Sequence, residues 1–209
     1  MIVVSAAVEG RVDEALVKRL ISEAGGIPGG VYGRNGKLPL RARINAYNSS
    51  ARFRPWIVIV DLNHEADCAP DLCRAWLPTR SLKLCFRVAV REAEAWLLAD
   101  RERISKFLSI SKARIPLNPE LEENPKQMMV NLAAHSRRRN IREDMVPRPG
   151  SGGDVGPAYT SRLIEFISAP QGGWRPDIAS TYSESLKRCI ECLRRLISAE
   201  QQSSGVVLS

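Results

Sequence analysis

The sequence lacks any apolar run of the about 18 residues that a helix needs to cross a bilayer. It also lacks the pattern of a secretory signal, because it has no basic start and its first apolar run is interrupted by Glu9. Cysteine is sparse and odd in number, five in 209 residues, which argues against a disulfide framework and for a reducing compartment. We therefore expect a cytoplasmic protein without a membrane partner.

Three common site motifs are also missing. The stretch "HEAD" at 64–67 lacks the second histidine of the H-E-x-x-H metalloprotease motif, and "GGVYGRNGKL" at 29–38 lacks the first glycine and the final Ser or Thr of a P-loop. Cys189 and Cys192 form a single C-x-x-C pair, whereas a zinc site needs two more ligands. For this pair we favour partly buried thiols over a metal.

Positive charge is what the chain has in excess. Its formal net charge is +8 and its pI is near 9.6, which favours an anionic partner, with nucleic acid the first candidate and DNA favoured over RNA. The arginines of "SRRRNIRED" are the candidate contacts, although they could equally form a solvated face or pair with Glu143 and Asp144. The candidate nucleic-acid residues are Arg137, Arg138, Arg139, Arg142 and Lys37, and for Lys37 an ordinary solvated lysine is the stronger interpretation.

The first hundred residues alternate between strand and helix patterns. Apolar runs at 2–8, 56–61 and 82–90 predict buried strands, and amphipathic segments between them predict helices. This alternation predicts an α/β fold with a mainly parallel sheet flanked by helices. Strand patterns end near Ser111, so we predict a core over 1–110 and a helical C-terminal part over 111–209, whose tail frays from about 199.

Acidic residues follow each of these buried strands. Because the C-terminal ends of parallel strands lie along one sheet edge, the carboxylates could converge there and hold Mg²⁺ or Mn²⁺, which prefer oxygen ligands. Single acids at such junctions are more often helix caps, but for Glu9 and Asp61 together we favour a site. The candidate ligands are Glu9, Asp61, Asn63, Glu65, Asp67, Glu92 and Glu94.

Two stretches resemble the signatures of the TOPRIM domain. "VEGRVDEALV" has a strand-end Glu followed by Gly, and "IVIVDLN" resembles the strand-end D-x-D, with Asn63 in place of the second acid. The chain as a whole is similar to a small bacterial family, domain of unknown function 4276, which is related to the overcoming-lysogeny-defect nucleases. This similarity rests on "VEGRVDE", "DLNHEADC", "VREAEAWLLAD", "NPKQ" and "GPAYTSRLIEF", and so spans most of the sequence.

The resemblance implies a Mg²⁺-dependent nuclease or phosphotransferase that acts in phage defence with a partner ATPase of the AAA or overcoming-lysogeny-defect type. Glu9 would be a metal ligand or general base, Asp61 a catalytic ligand, and Lys126 or Lys37 a cation that steadies the developing charge. Glu92 or Glu94 would help to hold a second metal, with Glu94 favoured. Because Asn63 is uncharged, the alternative is a non-catalytic module that binds nucleic acid or a partner. The sequence leaves homo-oligomer formation open.

Overall fold

The computed structural model describes residues 1–63 and 68–205. The chain divides into two compact units. The first is Met1–Val90 with Ser185–Ser209, and the second is Arg91–Glu184. The first unit therefore takes in the last helix, which the sequence assigned to the C-terminal part.

A four-stranded parallel sheet forms the centre of the first unit. The strands lie in the order β2-β1-β3-β4 and are flanked by helices, which confirms the predicted α/β class and gives a Rossmann-like arrangement. β1 pairs with β3 from Ser5↔Trp56 to Ala7↔Val58, and β3 pairs with β4 up to Asp61↔Ala89. The strands are β1 (Val3–Val8), β2 (Ile27–Gly33), β3 (Trp56–Asp61) and β4 (Leu84–Ala89).

The α-helices follow the amphipathic segments of the sequence. The helical segment before β3 is broken at Arg43, and the helical segment after β4 is broken at Asp100. The helices are α1 (Arg11–Glu23), α2 (Lys37–Ala42), α3 (Ile44–Ser50), α4 (Ala69–Trp76), α5 (Ala93–Ala99), α6 (Arg101–Leu108), α7 (Pro125–Ala134), α8 (Arg139–Met145), α9 (Tyr159–Ser168), α10 (Pro176–Ala179) and α11 (Glu184–Gly205).

The last helix continues beyond residue 199, where the sequence predicted a frayed tail. Glu200 contributes to this, because its Oε2 lies 3.0 Å from Nζ of Lys83. The apolar stripe predicted for this helix is buried in the structure, as Leu186, Ile190 and Ile197 are at most 2% exposed. Burial of such a stripe, rather than helix propensity, supplies most of the stability of a helix in a protein.

The second unit is helical among its described residues. Trp96 and Trp174 are fully buried in it, and Nε1 of Trp174 donates to the carbonyl of Trp96 at 3.1 Å, so the indole N–H is satisfied inside the core. Trp56 and Trp76, in the first unit, are at most 7% exposed. Across the part of the chain that the structure describes, no helix has both the length and the apolar character of a membrane span.

Candidate functional site

The strand order places two acidic residues at the same edge of the sheet. From β1 the chain passes to β2 on one side, and then returns to β3 on the other side of β1. Open α/β sheets bind their ligands at such a reversal, outside the C-terminal ends of the two strands. Glu9 directly follows β1, and Asp61 is the last residue of β3.

A hydrogen bond joins these two residues. The N–H of Leu62 donates to Ala89 of β4 at 2.9 Å, so the N–H of Asp61, one residue earlier, faces β1. β1 ends at Val8, before it reaches Asp61 in the sheet. Oε1 of Glu9 therefore accepts the N–H of Asp61, at 2.9 Å. The Glu9 carboxylate is therefore held against the end of β3.

The glycine-rich loop after β2 brings a lysine to the same point. The N–H groups of Arg34 and Gly36 donate to the carbonyls of Val8 and Glu9 at 2.8 and 3.0 Å, which fixes the loop across the end of β1. α2 starts at the next residue, and Nζ of Lys37 donates to the carbonyl of Asp61 at 2.6 Å. From the sequence alone a solvated side chain is the stronger interpretation of Lys37, because the contact with Asp61 depends on how this loop folds.

Gly33 is the residue that lets the loop approach β1. Its φ is +88°, and a Cβ atom there would lie 2.3 Å from the carbonyl oxygen of Val8. Gly25 has a nearly identical φ of +86°, but a Cβ atom there would have nothing within 4 Å. An alanine at position 25 would therefore meet backbone strain alone, whereas an alanine at position 33 would meet strain and steric overlap together.

We expect Gly33→Ala to lower the free energy of unfolding by about 3 kcal/mol, since left-handed strain and the overlap with Val8 act together. Gly25→Ala should lower it by only about 1 kcal/mol, from strain alone. Urea denaturation of the two variants measures both values. Equal losses would mean that the close approach of Gly33 to β1 contributes nothing to stability.

The acids at the start of α1 are structural. Oδ2 of Asp13 accepts the N–H of Gly10 at 2.8 Å, which caps the helix. Glu14 pairs with Lys18 at 2.7 Å and with Arg34 at 3.0 Å. The hydrogen bond from Lys18, helped by the bond from Arg34, outweighs desolvation and lowers the pKa of Glu14. For both acids, capping and pairing explain the position fully.

The remaining candidates in the first unit lie just after β3. Asn63 is half-buried in a turn with a φ of +48°, a conformation that Asn adopts more readily than most residues. Glu65 and Asp67 lie outside the described residues. Within residues 1–63 and 68–205, no group of three or more His, Cys, Asp or Glu side chains could hold a metal ion.

Glu92 and Glu94 lie in the second unit and have different partners there. Oε2 of Glu92 accepts the N–H of Lys126 at 2.8 Å, and Nζ of Lys126 lies 3.6 Å from Oε1. Glu94 is 4% exposed and accepts from the hydroxyl of Tyr159 at 3.1 Å. Burial, followed by the negative charge of Glu94, raises the pKa of Tyr159. Sequence reasoning missed Tyr159, because nothing in the local pattern links it to a residue 65 positions away.

The arginine segment of the second unit is partly paired. Nε of Arg139 lies 2.7 Å from Oε1 of Glu143, and both side chains are exposed. Arg142 donates to the carbonyl of Ser136. Arg137 and Arg138 are exposed and form no ion pair among the described residues. Solvent-facing cations of this kind fit either a solvated face or a contact with phosphates.

Fold and geometry together define a Rossmann-like α/β protein in which the Glu9 carboxylate and the Lys37 ammonium group both bond to the backbone of Asp61 at the reversal point of the sheet. Comparison of the chain with protein-family models, with curated proteins and with solved structures finds no match. The TOPRIM-like character of the chain therefore stays a proposal that rests on its motifs.

Proposed function

We propose that this chain is a divalent-metal-dependent nuclease of the TOPRIM type, which hydrolyses phosphodiester bonds in nucleic acid and favours DNA. One observation carries the proposal: Oε1 of Glu9 lies 2.9 Å from the backbone nitrogen of Asp61, at the point where open α/β sheets bind ligands. The Glu9 carboxylate is held there by the backbone of β3, next to a second acidic residue, which supports a site built on both.

The donor set fits a hard cation. Mg²⁺ and Mn²⁺ commonly take one or two protein carboxylates and complete their coordination with water and substrate phosphates. Glu9 and Asp61 supply the carboxylates, and Asn63 supplies an amide oxygen two residues further on. When bound, such a cation would lower the pKa of an attacking water and neutralise charge on the phosphate.

The chain's own groups would divide the remaining work. Glu9, oriented by the N–H of Asp61, would accept the proton of the attacking water. Lys37, whose Nζ lies 2.6 Å from the carbonyl of Asp61, would place a positive charge near the developing negative charge of the phosphate. The motif resemblance supports a catalytic role for Lys126, and Arg137 and Arg138 are proposed to hold the nucleic-acid backbone.

Assembly with an ATPase in phage defence is a further part of the proposal, and it rests only on the motif resemblance. The net charge of +8 supports an acidic partner of either kind, a nucleic acid or an acidic protein surface. The experiment below tests the metal site of the chain directly and does not depend on that partner.

We expect calorimetric titration with Mn²⁺ to show binding by the wild type, and an affinity at least about tenfold lower, or ~1.4 kcal/mol, in Glu9→Gln and Asp61→Asn. Plasmid cleavage on the same samples should fall to background in both variants. Glu9→Gln is the informative change, because its amide oxygen can still accept the N–H of Asp61 while the charge is lost. Stability should therefore stay close to that of the wild type.

Glu14→Gln is the matched control, because it removes a nearby carboxylate that is paired with Lys18 and Arg34. Metal affinity and cleavage should be unchanged in that variant. If the wild type bound no metal and cut nothing, yet bound DNA with an affinity that fell steeply with salt, the non-catalytic binding module would replace the nuclease. Unchanged metal binding in both Glu9→Gln and Asp61→Asn would place the metal elsewhere.

A further inference from the structure

A cavity in the first unit is lined by two thiols and by several positively charged side chains. Its volume is about 610 Å³, and it is lined by the segment that leads into β4 and by one face of α11. Two thiols contribute to the lining, Cys85 from β4 and Cys192 from α11. This cavity is separate from the Glu9 and Asp61 pair, and nothing in the proposed nuclease chemistry uses it.

The charges that face the cavity are mostly positive. Arg80, Lys83, Arg87 and Arg195 all contribute to the lining, and the one carboxylate, Glu200, is paired with Lys83 at 3.0 Å. Nε of Arg87 is buried and has no hydrogen-bond partner among the described residues. A buried guanidinium group beside a thiol favours the thiolate over the neutral form.

The three cysteines near this cavity differ in their environments. Cys192 is half-buried, whereas Cys85 and Cys189 are at most 1% exposed. The hydrogen bond from Cys85, together with the positive charges of Arg87 and Arg80, outweighs desolvation and lowers the pKa of Cys192 to about 6. Burial instead raises the pKa of Cys85 well above its usual range and that of Cys189 to about 12. Cys192 therefore has the most favourable surroundings for a thiolate among the three.

We propose that Cys192 is an oxidation-sensitive nucleophile that reacts with hydroperoxides entering this cavity and then forms a disulfide with Cys85. The cavity gives access, the arginines hold the thiolate, and Cys85 is its hydrogen-bonding neighbour. The resulting disulfide would link β4 covalently to α11.

The chemistry balances in two steps. The sulfur of Cys192 attacks the terminal oxygen of the hydroperoxide, so an S–O bond forms, the O–O bond breaks, and the released oxygen leaves as water or an alcohol after taking a proton. The thiol of Cys85 then loses its proton and attacks the sulfenic acid, so an S–S bond forms and water leaves. Two electrons pass from the two thiols to the hydroperoxide.

The first test measures alkylation of the reduced full-length protein by iodoacetamide between pH 5 and pH 10, with each cysteine followed by peptide mass spectrometry. The rate at Cys192 should reach half of its plateau well below pH 8.5, the value of an ordinary thiol. Arg80→Gln should move this midpoint upward, because it removes an exposed charge without disturbing the core. A midpoint for Cys192 at or above pH 8.5 would overturn the proposal.

The second test treats the protein with hydrogen peroxide and maps disulfides under non-reducing conditions. We expect a Cys85–Cys192 disulfide that dithiothreitol reverses, and in Cys85→Ser a sulfenic acid at Cys192 that dimedone traps. Cys189→Ser is the matched control, because it removes a neighbouring thiol three residues away on the same helix and should leave the disulfide unchanged. Loss of the disulfide in Cys189→Ser, or no oxidation of Cys192 before the other cysteines, would contradict the proposal.

Discussion

Arg175→Ala should lower the free energy of unfolding by about 3–5 kcal/mol, the largest loss of stability that we expect from a single change in this chain. Asp100 is fully buried, and its two oxygens accept from Nε of Arg175 at 3.0 Å and from Nη2 at 2.7 Å. The backbone N–H of Arg175 adds a third bond at 3.1 Å. Without the guanidinium group, a buried carboxylate keeps too few donors to balance its desolvation.

Urea unfolding followed by tryptophan fluorescence measures this loss, since Trp96 and Trp174 are both buried in the same unit. Combining the change with Asp100→Asn should recover about 1–2 kcal/mol, because the uncompensated charge is then absent. Arg139→Ala, which breaks a fully exposed pair with Glu143, is the control and should leave the free energy of unfolding nearly unchanged. Equal effects of Arg175→Ala and Arg139→Ala would mean that the buried pair contributes little.

The buried pair illustrates what the sequence could not predict. Asp100 lies at the break between α5 and α6 and acts as the cap of α6 by accepting the N–H of Arg103. Its partner Arg175 is 75 residues away. Local patterns carry no information about such a contact, because it depends on how the helices of this unit pack.

The candidate site was predictable to the extent that it depends on strands. Hydrophobic periodicity predicted Glu9 and Asp61 at the ends of two buried strands, and a parallel sheet would put both ends along one edge. The direct pairing of these two strands, which makes the residues neighbours, is seen only in the structure. The contact of Lys37 with Asp61 was harder to predict, because it depends on the close approach of Gly33 to Val8. A glycine-rich stretch does not by itself show where its loop will lie. The order in which strands pair and the contacts that loops make depend on tertiary packing, so local sequence patterns do not predict them.

Asn63 is the residue on which the choice between nuclease and binding module depends. In the TOPRIM-like motif it stands where a second acid is expected, and it lies two residues after Asp61 in a turn with a φ of +48°. Asp tolerates this left-handed conformation about as well as Asn does, so Asn63→Asp adds a carboxylate without forcing the backbone to change. Asn63→Ala has no such tolerance and would combine strain with the loss of the amide.

We expect Asn63→Asp to raise the affinity for Mn²⁺ by about tenfold or more, which corresponds to ~1.4 kcal/mol. A third negative charge near Glu9 and Asp61 should also make the metal-free variant less stable than the wild type, because like charges repel. Added Mn²⁺ should therefore raise Tm more in the variant than in the wild type, which calorimetric scanning with and without metal measures. If Asn63→Asp gained neither affinity nor metal-dependent stability, the turn after β3 would not belong to a cation site. If the wild type bound no metal but the variant did, the natural chain would carry a degenerate site and act by binding alone.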